Sequence, residues 1–415
     1  MPARFIIPLI LLILGEYYSF IVIRLAVRHM PPAARVSIIV FHFLVSLVAW
    51  TSFIFLRKIN WAEMPHMARN IYVAFVIGYM VSKIVVVPVM LSDEIRRLIV
   101  WIAGFFQTKQ QVPATTTGNG IPRSVFITHL AMALGGATLL SFIYGITNRY
   151  KYQVRRVKIK FDNLPASFRG LKIVQISDVH SGSFDSHKAV QRGIDKIMAE
   201  RPDMIFFTGD LVNNKADEIQ PYTDIFSQLR APMGVYSTLG NHDYGDYVEW
   251  PSAQAKVANL EWLKKTHAAM GWRLLMNEHV ILNRGNDKIA VIGIENWGAK
   301  AGFPKYGDMR KAYAGLPEQN VPFKMLLSHD PSHWDAQVRT EYKDIDIAFA
   351  GHTHGMQFGI EIPGFKWSPV QYVYRNWAGL TKEENQYLYV NRGFGFLGYP
   401  GRLGILPEIT VIELV

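Results

Sequence analysis

Hydrophobic and polar positions follow two different patterns along this chain, and the change falls near residue 147. Before it, apolar residues form unbroken runs: Phe5 to Ile23, Val36 to Leu56, Tyr72 to Leu91 and Val125 to Ile146. Each run is near the ~20 residues that an α-helix needs to cross a bilayer, so the pattern predicts four membrane spans. No small-residue cleavage site follows the first run, which reads as an anchor and not a removed signal. Leu98 to Phe106 is too short to span and follows directly on Asp93, Glu94, Arg96 and Arg97; it reads as an interfacial helix or an extension of the third span. Gln110 to Arg123, with Thr-Thr-Thr-Gly-Asn-Gly at its centre, reads as a polar loop.

From Tyr150 the apolar stretches shorten and begin to alternate. Val157, Ile159 and Phe161 take turns with Lys158 and Lys160, the period-two signature of a half-buried strand. Its basic face suits either a position close to an anionic bilayer surface or a plain solvated strand face. Asn163-Leu-Pro165 and Phe168-Arg-Gly170 then turn into an apolar strand that begins at Ile173. Met204 to Phe207, Val235 to Leu239, the residues around Leu274, Ile289 to Ile294, Met325 to Leu327 and Ile345 to Ala350 read as further strands. Val190, Ile194, Ile197 and Met198 fall at helical spacing behind a cap at Asp185 or Ser186, and Gly271 stops a helix over Ala253 to Met270. Strands alternating with helices predict an α/β fold. The expected organisation is a transmembrane domain over 1–147, a basic linker strand and turn over 148–170, and an α/β domain over 171–415.

Composition agrees with this division. Of 415 residues, 50% are hydrophobic and only 19% charged, as suits a membrane-embedded part joined to a water-soluble one. The chain has no Cys, which excludes a disulfide framework and a thiolate site. A net charge of +11 suits anionic partners such as phosphate esters, lipid headgroups or nucleic acid. The basic residues gather beside the last span instead of forming a stripe across the α/β domain, so nucleic acid is not the expected partner. On the N-terminal side of the spans lie Arg4, Arg57, Lys58, Arg69 and, after the last span, Arg149, Lys151, Arg155, Arg156, Lys158 and Lys160. They outnumber Arg24, Arg28, Arg35, Arg96, Arg97, Lys109 and Arg123 on the other side, and the excess leans to a cytoplasmic α/β domain.

Four positions inside the spans carry polar chemistry. Glu16 and Lys83 lie deep in the first and third spans, which run in the same direction, so the two fall at comparable depth. An unpaired charge there costs on the order of 3 kcal/mol, so the two could pair, as a packing salt bridge in preference to a proton or ion path. His42 and His129 also lie at similar depth and are expected to form an interhelical hydrogen bond.

The predicted strands of the α/β domain end in a recurring chemistry. Asp178-Val-His180, Gly209-Asp210, Gly240-Asn-His-Asp243, Ser328-His329-Asp330 and Gly351-His-Thr-His354 each follow an apolar run, and ligands in open α/β sheets gather beyond the carboxyl ends of strands. Asp178, His180, Asp210, Asn241, His329, His352 and His354 offer oxygen and nitrogen donors, too many for one tetrahedral ion. They are about right for two ions if one carboxylate bridges, and ions ~3.5–4 Å apart suit displacement at phosphorus. A water held between two cations ionises near neutral pH, and a neutral Asn241 leaves the cage net positive for a phosphate. His242, beside a ligand, is free for acid work.

These motifs, in this order and spacing over about residues 165 to 415, resemble those of the calcineurin-like metallophosphoesterase superfamily. The resemblance implies an α/β sandwich with a binuclear metal site and a metal-dependent phosphoric ester or pyrophosphate hydrolase using Mn, Fe or Zn. It implies that Asp178, His180, Asp210 and His354 hold one metal and Asp210, Asn241, His329 and His352 the other. Asp210 would bridge, and His242 would steady the transition state or protonate the leaving oxygen. Four spans ahead of the domain, with a tail Tyr389-Val-Asn-Arg-Gly393 leading to Arg402 and Pro407-Glu-Ile409, resemble the transmembrane metallophosphoesterase group. Some relatives of that group act as UDP-2,3-diacylglucosamine pyrophosphatases in lipid A synthesis. The chain departs from the pattern at Met356, where Gly is common, and carries Asn241-His-Asp243 where the soluble pyrophosphatase carries Asn-Arg-Asp.

Rings crowd the later insertions: Trp297, Phe358, Phe365, Trp367, Tyr372, Tyr374, Trp377, Phe394, Phe396 and Tyr399. They suit a membrane interface or an acyl groove. Arg375, Arg392 and Arg402 are candidates to clamp a phosphate, against the commoner fate of any one arginine as a structural pair. The reading is a multi-pass membrane phosphoesterase with two divalent metals, acting on a phosphodiester or pyrophosphate in a lipid-linked substrate. A membrane sensor that keeps the cage for binding, and a phosphodiesterase of nucleotides, are its rivals.

Overall fold

The computed structural model describes residues 3–55, 64–106, 123–300 and 302–415. They form two compact units, Met1–Ile146 and Thr147–Val415. In the first unit α1 (Ala3–Ala26), α2 (Pro32–Ile54), α3 (His66–Phe106) and α4 (Arg123–Gly145) carry the four predicted runs, and all four are long and apolar enough to cross a membrane. Leu98 to Phe106 extends the third span without a break, making α3 41 residues long, or roughly 60 Å at the α-helical rise. The expected loop from Gln110 lies outside the described residues up to its last member, Arg123, which opens α4.

Half-buried Glu16 and buried Lys83 do meet. Lys83 donates to the Glu16 carboxylate and to Ser46 Oγ at 2.9 Å, and the Trp50 indole donates to Glu16 at 3.0 Å. Tyr79 lies 2.9 Å from Ser46 Oγ and presents its ring to the Lys83 ammonium at 4.2 Å. The cluster ties α1, α2 and α3 together. His42 belongs to it, 3.5 Å from Glu16 and 3.3 Å from the Tyr79 hydroxyl, and does not pair with His129, which is exposed. Equal depth is not equal azimuth, and a helix face decides which neighbour a side chain meets.

Fourteen strands build the second unit: β1 (Gln153–Ile159), β2 (Lys172–Ile176), β3 (Met204–Thr208), β4 (Val235–Thr238), β5 (Arg273–Leu274), β6 (Glu278–Arg284), β7 (Asp287–Gly293), β8 (Phe323–Leu327), β9 (Ile347–Ala350), β10 (Ile360–Ile362), β11 (Phe365–Trp367), β12 (Gly379–Glu383), β13 (Gln386–Val390) and β14 (Glu408–Leu414). Twelve of them make two six-stranded sheets, ordered β1-β14-β2-β3-β4-β5 and β12-β13-β9-β8-β7-β6. Alternation along each strand sorts side chains to the two faces. Ile173, Met204 and Phe206 pack inward with Val291, Phe323 and Phe349 of the other sheet. Val174, Ile176, Ile205 and Phe207 point the other way, onto Val190, Ile194 and Ile197 of the helix His187–Ala199. Ser186 caps that helix, its Oγ accepting from the Ala189 N–H at 3.3 Å. The helix Ala253–Ala269 ends where Gly271 takes a left-handed φ of 77°.

The basic face of β1 is solvated: Arg156 and Lys158 are exposed and pair with Glu200 and Glu413, while Arg155, on the opposite face of the strand, meets Glu361. β6 and β10 to β14 lay outside the expected strands: β6 and β12 to β14 mix polar and apolar residues with little period-two signal, and β10 and β11 are only three residues each.

Candidate metal centre

Parallel strands β2, β3 and β4 of one sheet, and β8 and β9 of the other, deliver their following loops to one end of the sandwich. The loops are stitched by backbone bonds: Asp178 N–H to Gly209 O at 2.9 Å, His180 N–H to Asp210 O at 3.1 Å and Gly351 N–H to His329 O at 2.9 Å. Gly209 has a φ of 94°, and a Cβ there would lie 2.5 Å from the Gly240 nitrogen and 2.8 Å from His329 Nδ1. The close approach of these loops requires glycine at that point. Asp178, His180, Asp210, His352 and His354 also take left-handed backbone, with φ between 47° and 70°.

All the expected metal ligands converge in two groups. Asp178, His180 and His354 form one, and Asp210, His329 and His352 the other, the donor atoms within each lying no more than 4.8 Å apart. His354 Nε2 is 3.0 Å from His180 Nε2 and 3.3 Å from Asp178 Oδ1. Asp210 Oδ2 sits between the groups, 3.5 Å from His180 Nε2 and 3.2 Å from His329 Nε2. Asn241 Oδ1 joins the second group, 2.9 Å from His352 Nδ1 and 3.2 Å from His329 Nε2. Its amide orientation is fixed because Nδ2 donates to the Tyr247 hydroxyl at 2.8 Å.

Electrostatics make this a cage for cations. Burial drives the His180 pKa down to about 3 and lowers those of His352 and His354, which leaves neutral rings with lone pairs to give. Burial pushes Asp178 up to about 7. Burial opposes the charge on Asp210 too, yet His329, His242 and His180 hold it well below the usual carboxylate range. For His329, burial is outweighed by Asp210 and Asp178, which lift it to about 10. A proton on His329 thus takes the place that a metal charge would fill. Buried carboxylate, imidazole and amide donors aimed at common points fit two divalent ions that accept N and O ligands.

His242 lies half-buried beside the cage, its ring centroid 5.0 Å from that of His180. Its backbone N–H donates to Asp210 Oδ1 at 2.8 Å, and its Nδ1 is 2.7 Å from the Asn213 carbonyl. A carbonyl only accepts, so Nδ1 carries a proton and Nε2 is left to exchange one with substrate.

Residues without an assigned role hold this arrangement. The Asp243 carboxylate accepts from the N–H groups of Gly240, Asp210 and Leu211 at 2.8, 2.9 and 2.8 Å, fastening two ligand loops together. The Tyr374 hydroxyl lies 2.9 Å from His352 Nε2 and 3.3 Å from Asp330, fixing which ring nitrogen faces the cage. Asp330 and Asp243 stood inside the motifs, but nothing in the sequence linked Tyr374 to His352.

The phosphate clamp does not assemble. Arg392 is buried and paired to Glu408 at 2.5 Å and Glu361 at 2.7 Å. Arg402 is fully buried, donating to the carbonyls of Arg392 at 2.7 Å and His354 at 3.2 Å. Arg375 is exposed and paired with Glu383 at 2.9 Å. The rings divide as well: Trp377, Phe394, Phe396 and Tyr399 are buried, while Phe365 and Tyr372 are exposed. Met356 has a φ of 55°, which accounts for the glycine common at this position.

Comparison with known proteins places both units. Residues 3–149 match the family model "Probable Calcineurin-like phosphoesterase, transmembrane domain", and residues 171–356 match "Calcineurin-like phosphoesterase". The chain is 30% identical to the "Transmembrane protein with metallophosphoesterase domain" of Danio rerio, the match covering 67% of this chain and 61% of the relative's length. It is 30% identical to the "Uncharacterized metallophosphoesterase YkuE" of Bacillus subtilis over 62% of this chain and 83% of that protein. It is 27% identical to the "UDP-2,3-diacylglucosamine pyrophosphatase LpxG" of Chlamydia trachomatis over 66% of this chain and 92% of that one. With a two-group metal cage at the ends of its strands and four helices able to cross a membrane ahead of it, the chain belongs to the calcineurin-like metallophosphoesterases, a family of metal-dependent phosphoester hydrolases.

Proposed function

We propose that this chain hydrolyses a phosphodiester or pyrophosphate bond in a lipid-linked substrate at the membrane, with a UDP-2,3-diacylglucosamine-type molecule as lead candidate. The observation that carries the reading is the Asp210 carboxylate between the two donor groups, with His242 held on it and its Nε2 free. Bound metals would supply Lewis-acid charge and a water acidic enough to attack phosphorus near neutral pH. Asp178, His180, Asp210 and His354 would hold one ion and Asp210, Asn241, His329 and His352 the other. With both ring nitrogens protonated, His242 would pass the Nε2 proton to the leaving oxygen and return to the neutral ring that keeps Nδ1–H, while the carbonyl of Asn213 keeps the ring turned for that transfer.

The lipid link is supported by the four spans and by the name of the Chlamydia relative. The excess of basic residues on the N-terminal side supports a cytoplasmic catalytic unit. Full-length protein in bilayers, supplied with Mn2+, should cleave UDP-2,3-diacylglucosamine faster than its deacylated counterpart, and chelation should stop both reactions. Equal rates on the two substrates, or no cleavage of either while bis-p-nitrophenyl phosphate is turned over, would remove the lipid-linked reading.

A further inference from the structure

The ribbon of β10 and β11 is built inside out for a protein in water. Pro363 and Gly364 close it, with Gly364 at a φ of 80°, the conformation that a tight turn asks of glycine. Ile360 stands opposite Trp367 and Ile362 opposite Phe365, so these four share one face, while Glu361 and Lys366 share the other. The polar face is the one turned to the protein. Glu361 accepts from Arg392 and Arg155, each at 2.7 Å, and Lys366 donates to the Ala378 carbonyl. On the outer face Ile360, Ile362 and Phe365 are 50%, 59% and 53% exposed. A two-stranded ribbon is marginal in water even with its apolar face covered, so this face calls for an occupant.

Three features name a lipid surface as that occupant. The fourth span ends at Asn148, whose side-chain amide donates to the Arg402 carbonyl at 3.1 Å. The next residue, Leu403, holds the base of the ribbon: its N–H donates to Gln357 O at 2.8 Å, and its carbonyl accepts from the Gly359 N–H at 2.9 Å. Asn148, at which the chain leaves that span, is therefore tied to the base of the ribbon by contacts within the second unit. Aliphatic Ile360 and Ile362 are flanked by Trp367, whose indole donates to the Tyr372 hydroxyl at 3.4 Å, and such amphipathic rings favour the headgroup layer. The base of the ribbon is also rigid, because the Gln357 side chain donates to Tyr399 O at 2.6 Å and accepts from the Leu397 N–H at 2.6 Å.

We propose that the outer face of the β10–β11 ribbon is seated in the interfacial layer of the bilayer, beside the metal centre that His354 enters a few residues earlier. This deepens the lipid-linked reading by giving the substrate a surface to arrive from, although the contact itself does not depend on that substrate. The absence of Cys makes a single introduced thiol a unique label. Full-length Ile362→Cys carrying an NBD fluorophore, in phosphatidylethanolamine/phosphatidylglycerol nanodiscs, should be quenched by lipids bearing a doxyl group high on the acyl chain. The same label on Val257→Cys, 62% exposed on the helix Ala253–Ala269, should not be quenched. Equal, weak quenching at both sites overturns the proposal, and so does energy transfer between labelled copies at residue 362 without doxyl quenching, which would give the face to a second copy. The double variant Ile360→Ser, Ile362→Ser should keep its turnover of bis-p-nitrophenyl phosphate. Its turnover of a diacylated substrate in bilayers should fall at least roughly tenfold, since two large side chains lose their apolar surface. Quenching at residue 362 without turnover of any acylated substrate would keep the membrane contact and discard the substrate.

Discussion

Replacing His242 by Ala isolates one chemical act from the rest of the site. The Asp210 contact is made by the backbone N–H of residue 242, which Ala retains, so the ligand loop stays fastened. The lost ring is half-buried, packed at its edge on His180 and Tyr247, and its removal leaves a wet recess instead of a core cavity. Metal content and thermal stability should therefore be nearly unchanged. What disappears is Nε2, the one ring nitrogen not committed to Asn213. A positioned acid contributes roughly 10²–10⁴-fold, equivalent to about 2.7–5.4 kcal/mol at ~1.36 kcal/mol per factor of ten. The assay compares two diesters in the full-length protein with Mn2+, one expelling an alkoxide and the other p-nitrophenolate. The alkoxide needs a proton as it departs and should show the full loss; the nitrophenolate leaves without one and should lose less than roughly tenfold. Equal losses on both would refute the acid role, and loss of metal would show that the ring supports the cage.

Asp210→Asn should empty both sites together, as equilibrium dialysis with elemental analysis would show, because its carboxylate faces His180 and His329 alike; one ion retained at full occupancy would remove its bridging role. Between pH 6.5 and about 10 the metal-free site keeps a proton on His329, whose pKa is raised, so Mn2+ must displace it. Titration calorimetry at pH 8 in buffers of different ionisation enthalpy should show proton release, and affinity should rise with pH; no release at pH 8 would contradict the charge assigned to His329. In the membrane unit, Glu16→Gln strands Lys83 and should cost roughly 3–5 kcal/mol, whereas adding Lys83→Met should recover much of it. Additive losses in detergent melts would mean that the pair is not a unit.

The ligands could be read from the sequence because each ends an apolar run, and a strand end in an α/β fold has few places to go. Spans were legible for the same reason, since a bilayer asks for length and apolarity alone. Partner choice was not. Arg392 meets Glu408 and Glu361, 16 and 31 residues away, and no local pattern announces such a meeting. The rings around residues 358 to 399 looked alike in sequence, yet Phe394 fills the core while Tyr374 steers His352. His42 was expected beside His129 and instead meets Glu16 and Tyr79, because the face of a helix, not its depth alone, selects the neighbour. Burial depends on which elements close over a residue, and the strands β6 and β12 to β14, which supply much of that closure here, carry too little alternation to be found in advance.

Left-handed backbone at Asp178, His180, Asp210, His352 and His354 has a consequence for how such a chain can change. Each non-glycine residue held there gives up roughly 1 kcal/mol, and five together approach the lower end of the ~5–15 kcal/mol that keeps a whole domain folded. Glycine at any of the five would relieve the backbone but delete a donor, and at Asp178 and Asp210 it would also remove the carboxylate that accepts from the His352 and His242 N–H groups. The strain is thus inseparable from aiming acids and imidazoles at common points, and it cannot be relieved one position at a time without loosening the loops that carry them.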